Sequence, residues 1–526
     1  MVYKFQKNQS FARGGELMRQ KKYSALWIFW VFFSLIWFSP ALGAEAKNVI
    51  LLIGDGMGPE SVGLAIYYNR FMNGMDKRLN MERLMAAGNT GYCLTYQYGT
   101  VVTDSASAAT ALASGVKTRD AIIGKDHDGR SMKTITDVAR QLGKSAGLIS
   151  NTRMTHATPA AFYAHIIHRD MENEIAAQLI ERGDLNVAFS GGARHFIPAG
   201  MKVEEHPDLK GIAKEAGWGA STRKDSRDLL GEAKSKRYAI VTNDRELSAL
   251  EAKNTDKVLG LFAASGFPSA IDRQPHHQTG VPTLSQLTEK ALEILKKNSQ
   301  GFFLMVEGGQ IDWVAHGNDV ASVLHEMLEF DQAIGVAMAF AESNADTLLI
   351  VTADHDTGGL AIAYSNYQPP APVKLPSGET WRTKYNFGEK GIFEKMAKQK
   401  KSFLRMVMDS KGNPADLKRD VEDNSGFSLT EEQAVYVLSK EPEAGYPPTK
   451  DYSESYVYGT NNPVARMGRL LGKETNTAWA VGTHTHTPVM VIAKGPLAEN
   501  FRGLLDNVDI PQIIARGWGT NLPAPK

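Results

Sequence analysis

One local pattern restricts the fold of this chain more than any other. A short, largely apolar run leads to a carboxylate or a histidine, and this happens several times. The sharpest instance is Phe302 to Asn318, FFLMVEGGQIDWVAHGN. Phe302 to Val306 reads as a buried strand, and it ends at Glu307. Two glycines follow, then Asp312 and His316, whose spacing of four puts them on one face of a helix. Alone, such a triplet is more often a strand end, a helix cap and a surface histidine than a set of metal ligands. The pattern recurs, however. Val49 to Ile53 runs into Gly54-Asp55-Gly56-Met57-Gly58, and Asp346 to Ala353 runs into Asp354-His355. Ala146 to Ser150 leads to a loop with His156 and Thr158, where Pro159 suits the first turn of a helix. His484 and His486 precede the run Val489 to Ala493.

Apolar runs at Asn186 to Ser190, Tyr238 to Thr242 and Val258 to Ala263 alternate with helical stretches. Leucines at 284, 287, 292 and 295 predict an amphipathic helix over Thr283 to Lys297. This rhythm predicts an α/β fold: a large, mostly parallel central sheet flanked by helices on both faces. Open sheets of this class place ligands at the carboxyl ends of their strands, where these side chains fall. The glycines after Asp55 permit close backbone approach, but their spacing is not that of a dinucleotide fingerprint. No internal repeat at a solenoid period is visible.

The boundaries read as follows. Residues 1–46 are an N-terminal extension and export signal, with Arg19, Lys21 and Lys22 before the apolar run Ala25 to Phe38. Small residues Ala41, Gly43, Ala44 and Ala46 offer cleavage sites, and the expected location is periplasmic or secreted. Residues 47–365 form the first part of a catalytic α/β core, and 476–526 complete it. Between them, 366–475 change character: Pro369, Pro370, Pro372 and Pro376 open an insertion or subdomain, in which Leu429 to Lys440 carries a helix-capping signature. A formal net charge of +1 gives no electrostatic case for nucleic acid or an anionic membrane surface. Cys93 is the only cysteine, so no intrachain disulfide supports the fold in an oxidising compartment.

Two further residues carry chemistry. Asp104 and Ser105 head the small-residue stretch Ala106 to Ala113. Both types are favoured helix caps. A serine there is also placed where backbone N–H groups and the helix dipole favour an alkoxide or a phosphate. No histidine lies near it in sequence, so a metal ion would have to ionise it. Arg169 offers a fork that matches two phosphate oxygens. Across the candidates, one Asp with two His suits zinc, and Asp, Thr and Glu together suit magnesium. His276 and His277 read as loop residues.

In the motifs DGMG at 55–58, TDSASAATA at 103–111, THATPAA at 155–161, VEGGQIDWVAH at 306–316 and VTADH at 351–355, the chain resembles the alkaline phosphatases. The resemblance runs from about Lys47 to the C-terminus, interrupted by 366–475. It implies hydrolysis of phosphate monoesters through a phosphoserine at Ser105, with two zinc ions and one magnesium ion per chain. Asp312, His316 and His484 would hold the first zinc, with His486 as the alternative to His484. Asp55, Asp354 and His355 would hold the second. Asp55, Thr158 and Glu307 would hold magnesium, and Arg169 would clamp two phosphoryl oxygens. His156 stands where well-studied bacterial members carry aspartate, and Trp313 where they carry lysine. Both belong to the phosphate or third-metal neighbourhood. The resemblance also implies a homodimer, with no nucleic-acid partner and no stable membrane association after signal cleavage. The rival readings are a phosphodiesterase on the same scaffold and an exported metal-binding protein without catalysis. A sulfatase is disfavoured, because Ser105 is followed by ASAATA and not by the modifiable C/S-x-P-x-R context.

Overall fold

The computed structural model of the chain describes residues 46–212, 219–273, 280–439, 457–458 and 462–522. The export-signal run, its cleavage candidates Ala41, Gly43 and Ala44, and the pair His276-His277 lie outside the described residues. Ala46 is itself buried, and its carbonyl accepts the indole N–H of Trp518 at 2.7 Å.

Ten strands form one sheet. They are β1 (Asn48–Gly54), β2 (Asn89–Leu94), β3 (Ser145–Arg153), β4 (Val187–Gly191), β5 (Ala239–Val241), β6 (Val258–Leu261), β7 (Phe302–Glu307), β8 (Thr347–Ala353), β9 (Val489–Lys494) and β10 (Gly503–Asp506). The spatial order is β10-β2-β9-β8-β1-β7-β3-β4-β6-β5. Only β9 runs against the rest, antiparallel to both β8 and β2. The expected large, mostly parallel α/β sheet is therefore present. Its centre is explained by composition: β1 (NVILLIG), β7 (FFLMVE) and β8 (TLLIVTA) are buried at every residue. A strand without a polar face can only sit where helices cover both sides.

The helices follow their local signals. Leu284–Leu295 starts at Thr283, whose side chain accepts from the Gln286 amide in a capping box. It buries Leu284, Leu287, Ala291, Leu292 and Leu295, a helical stripe against the core. The long helix Val320–Ser343 is capped by Asp319, which accepts from the Ser322 amide.

Residues 366–475 contain a hairpin pairing Val373–Lys374 with Thr380–Trp381 and several short helices. Glu431–Leu438 begins at Thr430 with a second capping box, within the span that the sequence marks. Phe403, Met406, Leu417, Val421, Phe427, Val464 and Met467 form a buried cluster separate from the main core. Among the described residues, no helix is long and apolar enough to cross a membrane.

Candidate active site

Neighbouring parallel strands deliver their last residues to one edge of the sheet. In register, β1 lies between β7 and β8, so Asp55, Glu307 and Asp354-His355 meet although they are far apart in sequence. The turn after β1 needs glycine: Gly56 has φ +73°, and a Cβ there would sit 2.8 Å from the Asp312 Cα. After β7, the helix Gln310–His316 presents Asp312 and His316 one turn apart, with His316 Nε2 3.1 Å from Asp312 Oδ2. Past β3 come His156 and then Thr158, in the short helix Ala157–Ala161. Because β9 is antiparallel, its beginning lies at this edge. His484, before it, pairs in a two-residue ladder opposite Thr357. His486 lies beyond that ladder and is exposed.

The result is three groups whose ligand atoms lie within 4.8 Å of one another: Asp312, His316 and His484; Asp55, Asp354 and His355; and Asp55, His156 and Glu307. Thr158 joins the third through its hydroxyl, 3.4 Å from Asp55 Oδ2. Other atoms fix how these side chains point. His316 Nδ1 donates to the Gly482 carbonyl and His484 Nδ1 to the Thr103 carbonyl, each at 2.8 Å. In the neutral form of either ring, Nε2 is then the atom left with the lone pair. The Thr357 hydroxyl donates to Asp312, and Thr152 and Ser150 hydroxyls donate to Glu307 Oε2.

Four buried carboxylates in one place raise an electrostatic problem. Burial holds the Asp55 carboxyl well above its usual range, and Asp354, Asp312 and Glu307 push the same way. Burial, then Asp312, does the same to Asp354, and burial raises Glu307. For Asp312, burial is outweighed by His316, which holds its carboxyl well below the usual range. Asp55 Oδ1, Glu307 Oε1 and Asp354 Oδ2 are buried and accept no hydrogen bond. His355 Nε2 stands 3.2 Å from Asp354 Oδ2 and 3.5 Å from Asp55 Oδ1 without a hydrogen bond to either. Buried carboxylate oxygens left so are costly, and bound divalent cations would resolve both faults. The mixed nitrogen and oxygen donors of the first two groups fit zinc, and the oxygen-rich third suits a harder ion.

Ser105 begins the helix Ser105–Ser114, behind Asp104, which accepts from the Ser107 amide at 2.9 Å. Its Oγ lies 3.2 Å from His355 Nε2. Arg169 divides its fork between Asp104 Oδ2 and His156 Nε2, each at 3.1 Å. A guanidinium only donates, so His156 Nε2 accepts. Burial, then Arg169 and Arg153, hold that imidazole well below its usual pKa, so it is neutral. Trp313 meets His156 edge-on, with centroids 5.7 Å apart, and Arg153 lies 5.2 Å from the Trp313 ring. All the candidates singled out in the sequence converge here except His486, and His276-His277 lie outside the described residues. Thr357, Arg153 and Tyr458 escaped the sequence reading. Thr357 had only its closeness to Asp354-His355 as a signal; the other two had none.

The chain matches the family model described as alkaline phosphatase over residues 46–518. It belongs to the alkaline phosphatase family. It is 33% identical over 481 residues to alkaline phosphatase 4 of Bacillus subtilis, covering 90% of this chain and 88% of that one. The crystal structure of the Thermus thermophilus alkaline phosphatase superposes with a TM-score of 0.75 at 28% identity, over 92% of this chain and 94% of that one. A histidine-to-aspartate variant of the alkaline phosphatase from the Antarctic bacterium TAB5, with magnesium in its M3 site, gives a TM-score of 0.59 at 25% identity, over 91% and 99%. As an alkaline phosphatase the chain is a metal-dependent phosphomonoester hydrolase, and neither rival reading is favoured by these relatives.

Proposed function

We propose that this alkaline phosphatase works through a phosphoserine at Ser105. One observation carries the reading: Ser105 Oγ stands at a helix start, 3.2 Å from His355 Nε2, with Arg169 pinned to the residue before it. Asp312, His316 and His484 would hold one zinc ion, Asp55, Asp354 and His355 a second, and Asp55, Thr158 and Glu307 a magnesium ion beside His156. The buried oxygens without hydrogen bonds support this assignment. Bound there, these ions supply positive charge that lowers the pKa of a hydroxyl and of water and stabilises a departing oxygen. The protein does the rest. Ser105 Oγ forms a bond to phosphorus as the ester P–O bond breaks and the alcohol leaves. Arg169 holds two of the non-reacting oxygens, and Asp104 orients Arg169. Water then attacks the phosphoserine, the Oγ–P bond breaks, and phosphate is released.

The grouping of His156 with Asp55 and Glu307 supports placing it beside the third ion. The proposal includes export to the periplasm or medium, a homodimer, and 366–475 as an insertion in the core. Ser105→Ala tests it. Most phosphatase activity is lost, while zinc content stays at about two ions per chain. Phosphate trapped at low pH labels the wild type and not the variant. Near-full activity in Ser105→Ala overturns the reading.

A further inference from the structure

One wall of the active-site cleft has no part in the chemistry above. The cleft, about 590 Å³, is lined by Ser105, Arg169 and Asp312, but also by Trp313, Leu404 and Tyr458. Leu404 is 41% exposed and Tyr458 42% exposed. Large apolar side chains left open inside a catalytic cleft are an informative arrangement, because such clefts bind organic groups with them.

These side chains are held in place. Ser402 donates its amide and hydroxyl to Asp272, at 2.8 and 2.7 Å. The Phe403 amide donates to Asp319 Oδ2 at 2.7 Å, and the Phe403 side chain is buried. Asp319 lies three residues after His316, so Leu404 is fixed to the loop that leaves the His316 helix. The Tyr458 ring meets His316 with centroids 4.4 Å apart. Trp313 follows Asp312 in the chain. The apolar wall thus adjoins the Asp312–His316–His484 group. Ser105 Oγ instead touches His355, of the other group. In-line attack expels the leaving alcohol on the side of phosphorus away from Ser105. Leu404 and Tyr458 therefore flank the departing alcohol, whereas Trp313, edge-on to His156, borders the side of the phosphoryl clamp.

We propose that Leu404 and Tyr458 form a leaving-group subsite that favours phosphate monoesters of aromatic or bulky apolar alcohols. The inference rests on the proposed phosphoserine mechanism, which sets the direction of departure. The test compares 2-naphthyl phosphate with ethyl phosphate in wild type, Leu404→Ser, Tyr458→Ala and Leu404→Phe. Each variant's kcat/KM is divided by the wild-type value for the same substrate, which cancels intrinsic leaving-group reactivity. Leu404→Ser and Tyr458→Ala are expected to lower the naphthyl-to-ethyl selectivity about tenfold. That is the loss from uncovering on the order of 55 Å² of apolar surface at about 25 cal/mol per Å². Leu404→Phe restores or raises the selectivity, a result that mere disturbance of the fold does not produce. Parallel losses on both substrates, or unchanged selectivity in both truncations, overturn the subsite while leaving the mechanism standing. A wild type that turns over neither ester overturns the mechanism and the subsite together.

Discussion

Arg169 offers the sharpest test of how the site grips phosphate. In the structure its fork is already engaged, by Asp104 Oδ2 and by His156 Nε2. Removing it disturbs little else. Asp104 keeps its bonds from the Ser107 amide at 2.9 Å and the Ala121 amide at 3.2 Å, so the Ser105 helix stays capped. The Arg169 backbone stays pinned through its amide to the Ala121 carbonyl at 2.8 Å. The loss therefore falls on the ligand. A charge-assisted hydrogen bond contributes about 1.5–3 kcal/mol, and the competing contacts in the free enzyme offset part of two such bonds. A net loss of about 1.4–2.8 kcal/mol corresponds to roughly ten- to hundredfold. In Arg169→Ala, the inhibition constant for inorganic phosphate should rise by that factor, and kcat/KM for p-nitrophenyl phosphate should fall by a similar one. Measurable activity should remain, and zinc content should match the wild type. Arg169→Lys keeps the charge without the fork and should lie between. If the alanine variant leaves both phosphate inhibition and kcat/KM unchanged, Arg169 is not the clamp.

Two further outcomes follow from the same geometry. His156 is neutral and brings no countercharge to the third group, so activity should depend on added magnesium after dialysis; His156→Asp should tighten magnesium binding and reduce that dependence. Titrating activity with magnesium in wild type, His156→Asp and the double variant with Trp313→Lys checks this, and superimposable curves for all three refute it. Glu172 accepts a fork from Arg153, with contacts of 2.7 and 2.9 Å; although burial pushes its carboxyl up, Arg153 outweighs it and brings it down to about 2. A depressed carboxyl contributes stability above its unfolded range and loses it as pH falls, here between about 4.5 and about 2. Arg153→Met removes the fork and leaves Glu172 only the Thr155 hydroxyl at 2.5 Å and His195 Nε2 at 3.2 Å. It should cost about 2 kcal/mol near neutral pH and clearly less near pH 3. Equal shifts in urea midpoint at both pH values count against that account.

The parts of the site that were legible in the sequence are those written in local chemistry. Val49 to Ile53 and Phe302 to Val306 are wholly apolar, and Leu348 to Val351 is the apolar centre of Asp346 to Ala353, which marks strands buried on both faces. The side chains that follow them were correctly read as lying at strand ends. Thr283 and Thr430 announce their helices because capping is decided within four residues. The edge strand β2 is different. NTGYCL has no apolar run and only two buried positions; it is a strand because β9 and β10 flank it. Arg153 and Tyr458 likewise carry no signal before the chain has folded.

The sequence by itself therefore determined the class of the sheet and the donor types at its strand ends, since both depend on neighbours only a few residues away. The tertiary structure decided which donors share a site. Placing β1 between β7 and β8 gathers Asp55, Glu307 and Asp354. Reversing β9 brings its beginning to the carboxyl edge, and the ladder with Thr357 selects His484 over His486. Strand order and direction are set by long-range pairing and burial, and the residues on either side of His484 hold no record of them.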